Sequence, residues 1–114
     1  MEVKDDHYHV WFDPSEKTVY FDGTLSLTGP QEYDPIMILL NNAVENDPTM
    51  LTLDMQNLDF LNSTGFNMLY KFVISTRKKG SMKFIVLGMK NKPWQAKSLP
   101  SLKRVNPNFD LILA

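Results

Sequence analysis

Three helical patterns alternate with strand patterns after residue 30, and this alternation limits the possible folds more than any other feature of the chain. Helix-length segments between strands allow the strands to run parallel, with each crossover helix packed on the sheet. Before residue 30, two aromatic-rich stretches flank the turn sequence Asp13–Lys17, which predicts a hairpin. We therefore predict an α/β fold with a mixed sheet of about five strands, helices packed on it, and the order β-β-α-β-α-β-α-β.

Turn, cap and breaker residues set the predicted boundaries. Asp34 and Pro35 predict the start of the first helix, because Asp caps helices and Pro favours the first helical position. That helix is expected to bury Leu39, Leu40 and Val44. The predicted elements are strands His7–Phe12 and Thr18–Phe21, a helix from Asp34 to a stop at Asn46–Pro48, strand Leu51–Met55, helix Ser63–Lys79 ended by Gly80, strand Met82–Leu87, an irregular helix Trp94–Lys103 interrupted by Pro100, and strand Phe109–Leu113. Asp22-Gly23 either ends the second strand or forms a bulge in it, since Thr24–Leu27 can continue the strand.

The chain has 114 residues, the usual size of one domain, so we assign residues 1–114 to a single domain. Hydrophobic residues make up 43%, which is enough for one core and too much for a disordered chain. No apolar run approaches the roughly 20 residues of a spanning helix, so membrane insertion is not expected. The acidic start of the chain and the absence of cysteine lead us to expect a cytoplasmic protein.

Charge is divided unevenly along the chain, although the net charge is only −1. Residues 1–70 hold 12 Asp and Glu but 2 Lys and Arg, whereas residues 71–114 hold 10 Lys and Arg and one acidic residue, Asp110. Two differently charged solvated faces are the simpler explanation. The alternative is a dipolar surface that steers a partner or a second copy of the chain. The sequence leaves the oligomeric state open.

A predicted loop, Gln56–Asn62, leads to the one segment that suggests a functional site. Ser63 and Thr64 place two hydroxyls at a helix start, and Gly65 permits another backbone to approach. Amide N–H groups and the positive end of the helix dipole stabilise an anion there. A phosphate on Ser63 would be tolerated and would add negative charge to a surface available to a partner. Plain N-capping by Ser63 is the structural alternative.

This segment resembles the signature of STAS domains, the family of bacterial anti-sigma factor antagonists. The family pattern runs from an Asp through polar and apolar positions to Asp-Ser-Ser/Thr-Gly-Leu. The residues that match it are Asp54, Leu58, Phe60, Leu61, Ser63, Thr64 and Gly65. The order of elements also agrees over most of the chain, and Gly23-Thr24-Leu25 resembles the family's Gly-x-Leu-Asp segment.

The resemblance implies a phosphorylation-switched protein-binding module that is not an enzyme and needs no cofactor. The phosphoacceptor maps onto Ser63, with Thr64 as the second choice. The implied partners are a serine kinase of the anti-sigma factor type and an opposing metal-dependent serine phosphatase. Asn62 would hold the loop, and Asp54 would anchor it from the end of the strand. The predicted partner-binding residues are Asn62, Ser63, Thr64, Gly65, Asp54 and Gly23.

Two residues depart from the family pattern. Asn62 replaces the acidic residue before the phosphoserine, which removes a charge that a kinase could read, and Ser26 replaces the Asp of Gly-x-Leu-Asp. The Leu-Asn-Ser-Thr run and Asp34-Pro35 also resemble a sibling group of STAS-like phosphoproteins that bind a diguanylate cyclase when unphosphorylated. The phosphoacceptor maps onto Ser63 in that group too, and the sequence does not separate the two groups.

Other functions have weaker support in the sequence. A non-switched STAS subunit of a larger assembly, such as a lipid-transport complex, and a small-ligand-binding STAS domain remain as alternatives. His7 and His9 share one face of a predicted strand but lack a third metal ligand nearby. The lysines around Trp94 are predicted to form a solvated face, because a net charge near zero disfavours nucleic-acid binding. The sequence contains no Ser-His-Asp set, phosphate-binding glycine loop or nucleotide fingerprint.

Overall fold

The sheet has six strands in sequential order, β1-β2-β3-β4-β5-β6. A computed structural model describes residues 1–78 and 81–114. The elements are β1 (Glu2–Lys4), β2 (Tyr8–Asp13), β3 (Thr18–Leu25), a 3₁₀ turn (Pro30–Tyr33), α1 (Asp34–Asn46), β4 (Met50–Leu61), α2 (Ser63–Arg77), β5 (Lys83–Gly88), α3 (Pro93–Ser98), a 3₁₀ segment (Leu99–Arg104) and β6 (Asp110–Leu113). The strands β1, β2 and β3 pair antiparallel, and β3 to β6 pair parallel, so the predicted mixed α/β sheet is confirmed.

The helices pack on one face of the sheet. Each parallel strand lies directly beside its predecessor, so right-handed crossovers carry every helix to the same side. The Phe72 ring of α2 meets the Phe84 ring of β5 edge-on, with 6.0 Å between centroids. Leu99, the residue after α3, packs closely on Gly88 of β5. A Cβ added to Gly88 would lie 2.9 Å from Leu99 Cδ1. The core therefore fills the space between the helices and this one face.

The first strand was missed by the sequence analysis, which predicted about five strands. β1 has only three residues, too few to show a period-two pattern. Its register places Val3 opposite Val10, and Val3 packs against the buried core. The pairing with β2 therefore defines this strand, and the sheet is one strand wider than predicted.

The prediction of a loop at Gln56–Asn62 is wrong, because β4 continues through Leu61. The buried apolar residues of β4 are Leu51, Leu53, Met55, Leu58 and Leu61. Their spacing changes from two to three after Met55, and the register against β3 slips at two places in the same stretch. Two β-bulges thus keep the leucines pointing into the core. The bulges interrupt the simple alternation, which is why this half of the strand looked like a loop.

The helix starts also differ from the predictions. Asp34 does not cap the first helix, because the 3₁₀ turn runs directly into α1 and the N-cap position is Tyr33. The second helix is capped by Asn62 and not by Ser63. The third helix is short and continues as a 3₁₀ segment that includes Pro100, in agreement with the predicted irregularity. The predicted end of the second helix at Lys79 and Gly80 lies outside the described residues. Among those described, no helix is long and apolar enough to cross a bilayer.

The buried face of α1 is the predicted one, and a substitution at Leu40 tests how much this face contributes to the stability of the fold. Leu40 is fully buried in the core, so Leu40→Ala should lower the free energy of unfolding by about 2–5 kcal/mol through lost burial and an unfilled cavity. On the same helix Ile38 is 56% exposed, and Ile38→Ala should change the free energy of unfolding by about 0.5 kcal/mol or less. Urea unfolding of both variants measures the difference. Equal losses would show that the packed face of α1 is misassigned.

Candidate functional site

Asn62 joins β4 to α2 and uses its side-chain amide in three hydrogen bonds. Its Oδ1 accepts from the Gly65 N–H at 2.9 Å and from the Tyr33 hydroxyl at 2.6 Å. Its Nδ2 donates to the Leu27 carbonyl at 2.8 Å. The first of these bonds is an N-cap, because it satisfies a first-turn amide that has no acceptor within the helix. Asn62 therefore fixes the start of α2 against the segment after β3 and the start of α1.

The groups around residue 62 favour an amide over an acid. The Tyr33 ring is buried, its hydroxyl accepts from the Leu27 N–H at 3.3 Å, and burial raises the pKa of Tyr33. The hydroxyl thus stays protonated and donates to Asn62. An aspartate at position 62 could accept from Tyr33 and Gly65, but it would set a carboxylate oxygen against the Leu27 carbonyl. Asn62 satisfies all three bonds of this network, which a carboxylate would not.

Gly65 is buried beneath side chains of its own chain. A Cβ at this position would lie 2.4 Å from Leu61 Cδ1 and 2.7 Å from the Tyr33 hydroxyl oxygen, so any larger residue would collide with both. The close approach that this glycine permits is made by Tyr33 and Leu61. The prediction that Gly65 contacts a partner is therefore not supported by its position.

Ser63 and Thr64 line different grooves, although they are adjacent. Ser63 is the first residue of α2 and is exposed. It borders a groove of about 290 Å³ between α2 and α3, together with Phe66 and Trp94. Thr64 is half-buried and borders a groove of about 230 Å³ between α1 and α2, where Lys71 also lies. Ser63 thus has the more accessible hydroxyl, and a group added to it would lie beside the α2–α3 groove.

One ion pair and one tryptophan hydrogen bond lie near the Ser63 groove. Lys92 Nζ lies 2.7 Å from Asp59 Oδ1, and the nearby Trp94 Nε1 donates to the Leu58 carbonyl at 3.2 Å. Ser63 is too early in α2 for its own N–H to have an intrahelical acceptor. A phosphate on Ser63 would therefore meet a helix N-terminus that favours an anion, and it would add negative charge beside the groove.

Asp54 is not part of this site. It lies in the middle of β4, paired with Tyr20, whereas Leu61 is paired with Leu25. The five intervening steps along β3 correspond to roughly 16 Å. The prediction that Asp54 anchors the Ser63 segment from the end of the strand is therefore wrong.

Gly23 has a role within the sheet itself. Its φ is +93°, and a Cβ would lie 2.2 Å from the His7 carbonyl oxygen. Only glycine combines this backbone conformation with such a close approach. The position therefore needs glycine for the fold, and contact of Gly23 with a partner stays a prediction.

Two residues near the site were missed by the sequence analysis. Phe60 matches an apolar position of the STAS pattern, but it is 45% exposed, because the bulges in β4 turn it outward two positions before Asn62. Gln95 is fully buried and bonds to the edge of β4 that β5 leaves unpaired. Its Nε2 donates to the Met55 carbonyl at 2.6 Å and to the Leu58 carbonyl at 3.0 Å, and its Oε1 accepts from the Met89 N–H at 2.7 Å. Nothing in the local sequence signals this bond set.

Known structures share this fold at low sequence identity. The chain is similar to the crystal structure of the diguanylate cyclase SiaD in complex with its activator SiaC from Pseudomonas aeruginosa, at 10% identity and a TM-score of 0.78 over 99% of this chain and 97% of that chain. It is similar to SiaC of Pseudomonas aeruginosa at 11% identity and a TM-score of 0.75, over 100% and 96% of the two chains. An anti-sigma factor antagonist from Mycobacterium paratuberculosis matches at 17% identity and a TM-score of 0.62, over 100% and 84%.

These similarities show that the chain has a STAS-like fold of the SiaC type, as the resemblance of the Ser63 segment predicted. No protein-family model matches the chain, and no match was found among curated proteins.

Proposed function

We propose that this protein regulates a partner by reversible binding, and that phosphorylation of Ser63 switches the binding off. The observation that carries the proposal is the position of Ser63, an exposed hydroxyl on the first residue of a helix. The network of Asn62, Tyr33 and Leu27 holds that hydroxyl in place without using it. The proposed function is binding and not catalysis.

The surface around Ser63 is suited to contact with another protein. The groove beside it is lined by the rings of Phe66 and Trp94, and exposed Phe60 adds a third aromatic side chain close in the chain. Aromatic residues are the usual anchors of protein interfaces. A doubly negative phosphate at the edge of this surface would have to lose water or meet an unpaired environment on binding. We therefore propose that Phe60, Ser63, Phe66 and Trp94 make the contact, with Asn62 and Thr64 beside Ser63 at the start of α2.

A diguanylate cyclase is the partner that we favour. SiaC is an activator of the diguanylate cyclase SiaD, and the TM-score of the chain against SiaC, 0.75, is higher than the 0.62 against the anti-sigma factor antagonist. A serine kinase of the anti-sigma factor type would add the phosphate, and a serine phosphatase would remove it. Asn62 fits this assignment, because the sibling group of diguanylate cyclase-binding proteins also has Asn in this segment.

Mass analysis of protein from the native cell tests the acceptor. We expect one phosphate on the intact protein, located on Ser63 by peptide sequencing and absent from Ser63→Ala. Thr64→Ala is the matched control, since it removes the neighbouring hydroxyl from the other groove, and it should keep the modification. Phosphate found on a residue other than Ser63, or kept by Ser63→Ala, contradicts the assignment.

A further inference from the structure

The face of the sheet opposite the helices is uncovered among the described residues, and one row of side chains crosses it. In this row, one residue from each of the six strands lies directly opposite its register partner on the next strand. The row consists of Glu2, Trp11, Tyr20, Asp54, Leu87 and Ile112. Ile112 is 52% exposed, and the residues from Trp11 to Leu87 are half-buried although no helix covers them. The row therefore forms an open strip that is aromatic at one end and aliphatic at the other.

Three rings stack at the aromatic end of this strip. The centroids of His9 and Trp11 are 4.4 Å apart, and those of Trp11 and Tyr20 are 5.0 Å apart with 19° between their planes. Trp11 covers one face of the Tyr20 ring. The other ring face is turned toward β4, where the next residue of the row is Asp54. Tyr20 and Asp54 thus border a position in which a flat group would continue the stack.

The same face is strongly acidic. Its charged residues are Glu2, Lys4, Asp13, Asp22, Asp54, Lys83 and Asp110, five carboxylates against two lysines. Glu16 accepts from the Tyr20 hydroxyl. This bond, the desolvation of the hydroxyl and the charges of Glu16, Asp54 and Asp13 raise the pKa of Tyr20 to about 12. The Asp54 carboxylate accepts from the Gln56 N–H, and among the described residues it has no cation within 4.0 Å.

We infer that this face docks an arginine-rich segment of a partner protein, with one guanidinium stacked on Tyr20 and paired with Asp54. A guanidinium is planar and permanently charged, so it can stack on an aromatic ring while its N–H groups bond to a carboxylate. A lysine ammonium lacks the planar surface. The five carboxylates repel nucleic acid, and they repel the same face of a second copy. The aliphatic end, Leu87 and Ile112, accommodates apolar residues of the same segment.

Titration with an octa-arginine peptide tests this surface. We expect the labelled peptide to bind in low salt by fluorescence anisotropy, and octa-lysine to bind more weakly by about threefold or more, because only arginine gains the stacking contact. Asp54→Asn keeps an acceptor for the Gln56 N–H but removes the charge, and it should weaken octa-arginine binding by about fivefold or more. Glu45→Gln is the charge-matched control, because Glu45 lies on the exposed face of α1; it should change the affinity less than about twofold.

Two results would overturn this assignment. One is an equal loss of affinity in Asp54→Asn and Glu45→Gln, which would mean that the peptide senses only overall charge. The other is self-association of the chain through this face, seen as a dimer by sedimentation that Asp54→Asn alters. Ser63→Asp should bind octa-arginine like the unmodified protein, so this test and that of the Ser63 switch can fail independently.

Discussion

Gln95→Ala is expected to lower the free energy of unfolding by about 3–5 kcal/mol, the largest stability effect that we predict for a polar residue of this chain. The side chain is fully buried and bonds to two carbonyls of β4 and one N–H after β5. Alanine would remove the Gln95 partner of Met55 O and of Met89 N–H and leave Leu58 O with only the Trp94 bond, and each buried unpaired group costs about 1–3 kcal/mol. Chemical denaturation measures the loss. Gln31→Ala is the control, since Gln31 is exposed, and it should change stability by about 0.5 kcal/mol or less.

Gln95→Glu separates hydrogen bonding from packing, because the two side chains have the same shape. A carboxylate can accept from Met89 but cannot donate to Met55 and Leu58, and burial would raise its pKa in the folded state. An acid with a raised folded pKa loses stability as the pH rises from its unfolded to its folded pKa. The deficit of Gln95→Glu relative to the native chain should therefore be largest above the raised folded pKa, shrink as the pH falls toward the unfolded value of about 4.3, and stay constant below it. A deficit that does not depend on pH would assign the role of Gln95 to packing.

Phosphorylation of Ser63 is expected to weaken partner binding at least about tenfold, or 1.4 kcal/mol, with little change in melting temperature. The hydroxyl is exposed, and the N-terminus of α2 favours an exposed anion by ~0.3–1 kcal/mol, so the fold accommodates the phosphate. At a contact surface the same charge must be desolvated, and the loss of a buried polar contact there can reach ~2–5 kcal/mol. Calorimetric titration of the partner recovered from native lysate, using enzymatically phosphorylated protein, measures the change.

Ser63→Asp is a weaker mimic, with one charge and fewer acceptor oxygens, and should give a smaller effect in the same direction. Ser81→Asp adds the same charge at another exposed position and should leave the affinity unchanged. A large fall in melting temperature with unchanged affinity would contradict the switch. Ser63 would then be a structural residue of α2, and the protein would fit a non-switched scaffold better.

The site was predicted in part. The sequence identified Ser63 as the first hydroxyl of a helix, because an apolar helical period follows it directly. It assigned the cap to Ser63, since serine caps helices as well as asparagine does. Only the packed structure distinguishes them, because Asn62 is selected by Tyr33 and Leu27, which lie 29 and 35 residues earlier in the chain. The same packing makes Gly65 a residue of the interior.

The sequence alone determined the alternation of strands and helices, the buried face of α1 and the position of Ser63 at the start of a helix. These features depend on periodicity and breakers within a few neighbouring residues. Only the tertiary structure decided three other features: the continuation of β4 past Asp54, the position of Asp54 on the open face and the burial of Gln95. Each depends on pairing between distant segments, such as the bond from Gln95 to Met55 across 40 residues. A polar side chain is buried when such a partner is present, and a local pattern contains no information about that partner.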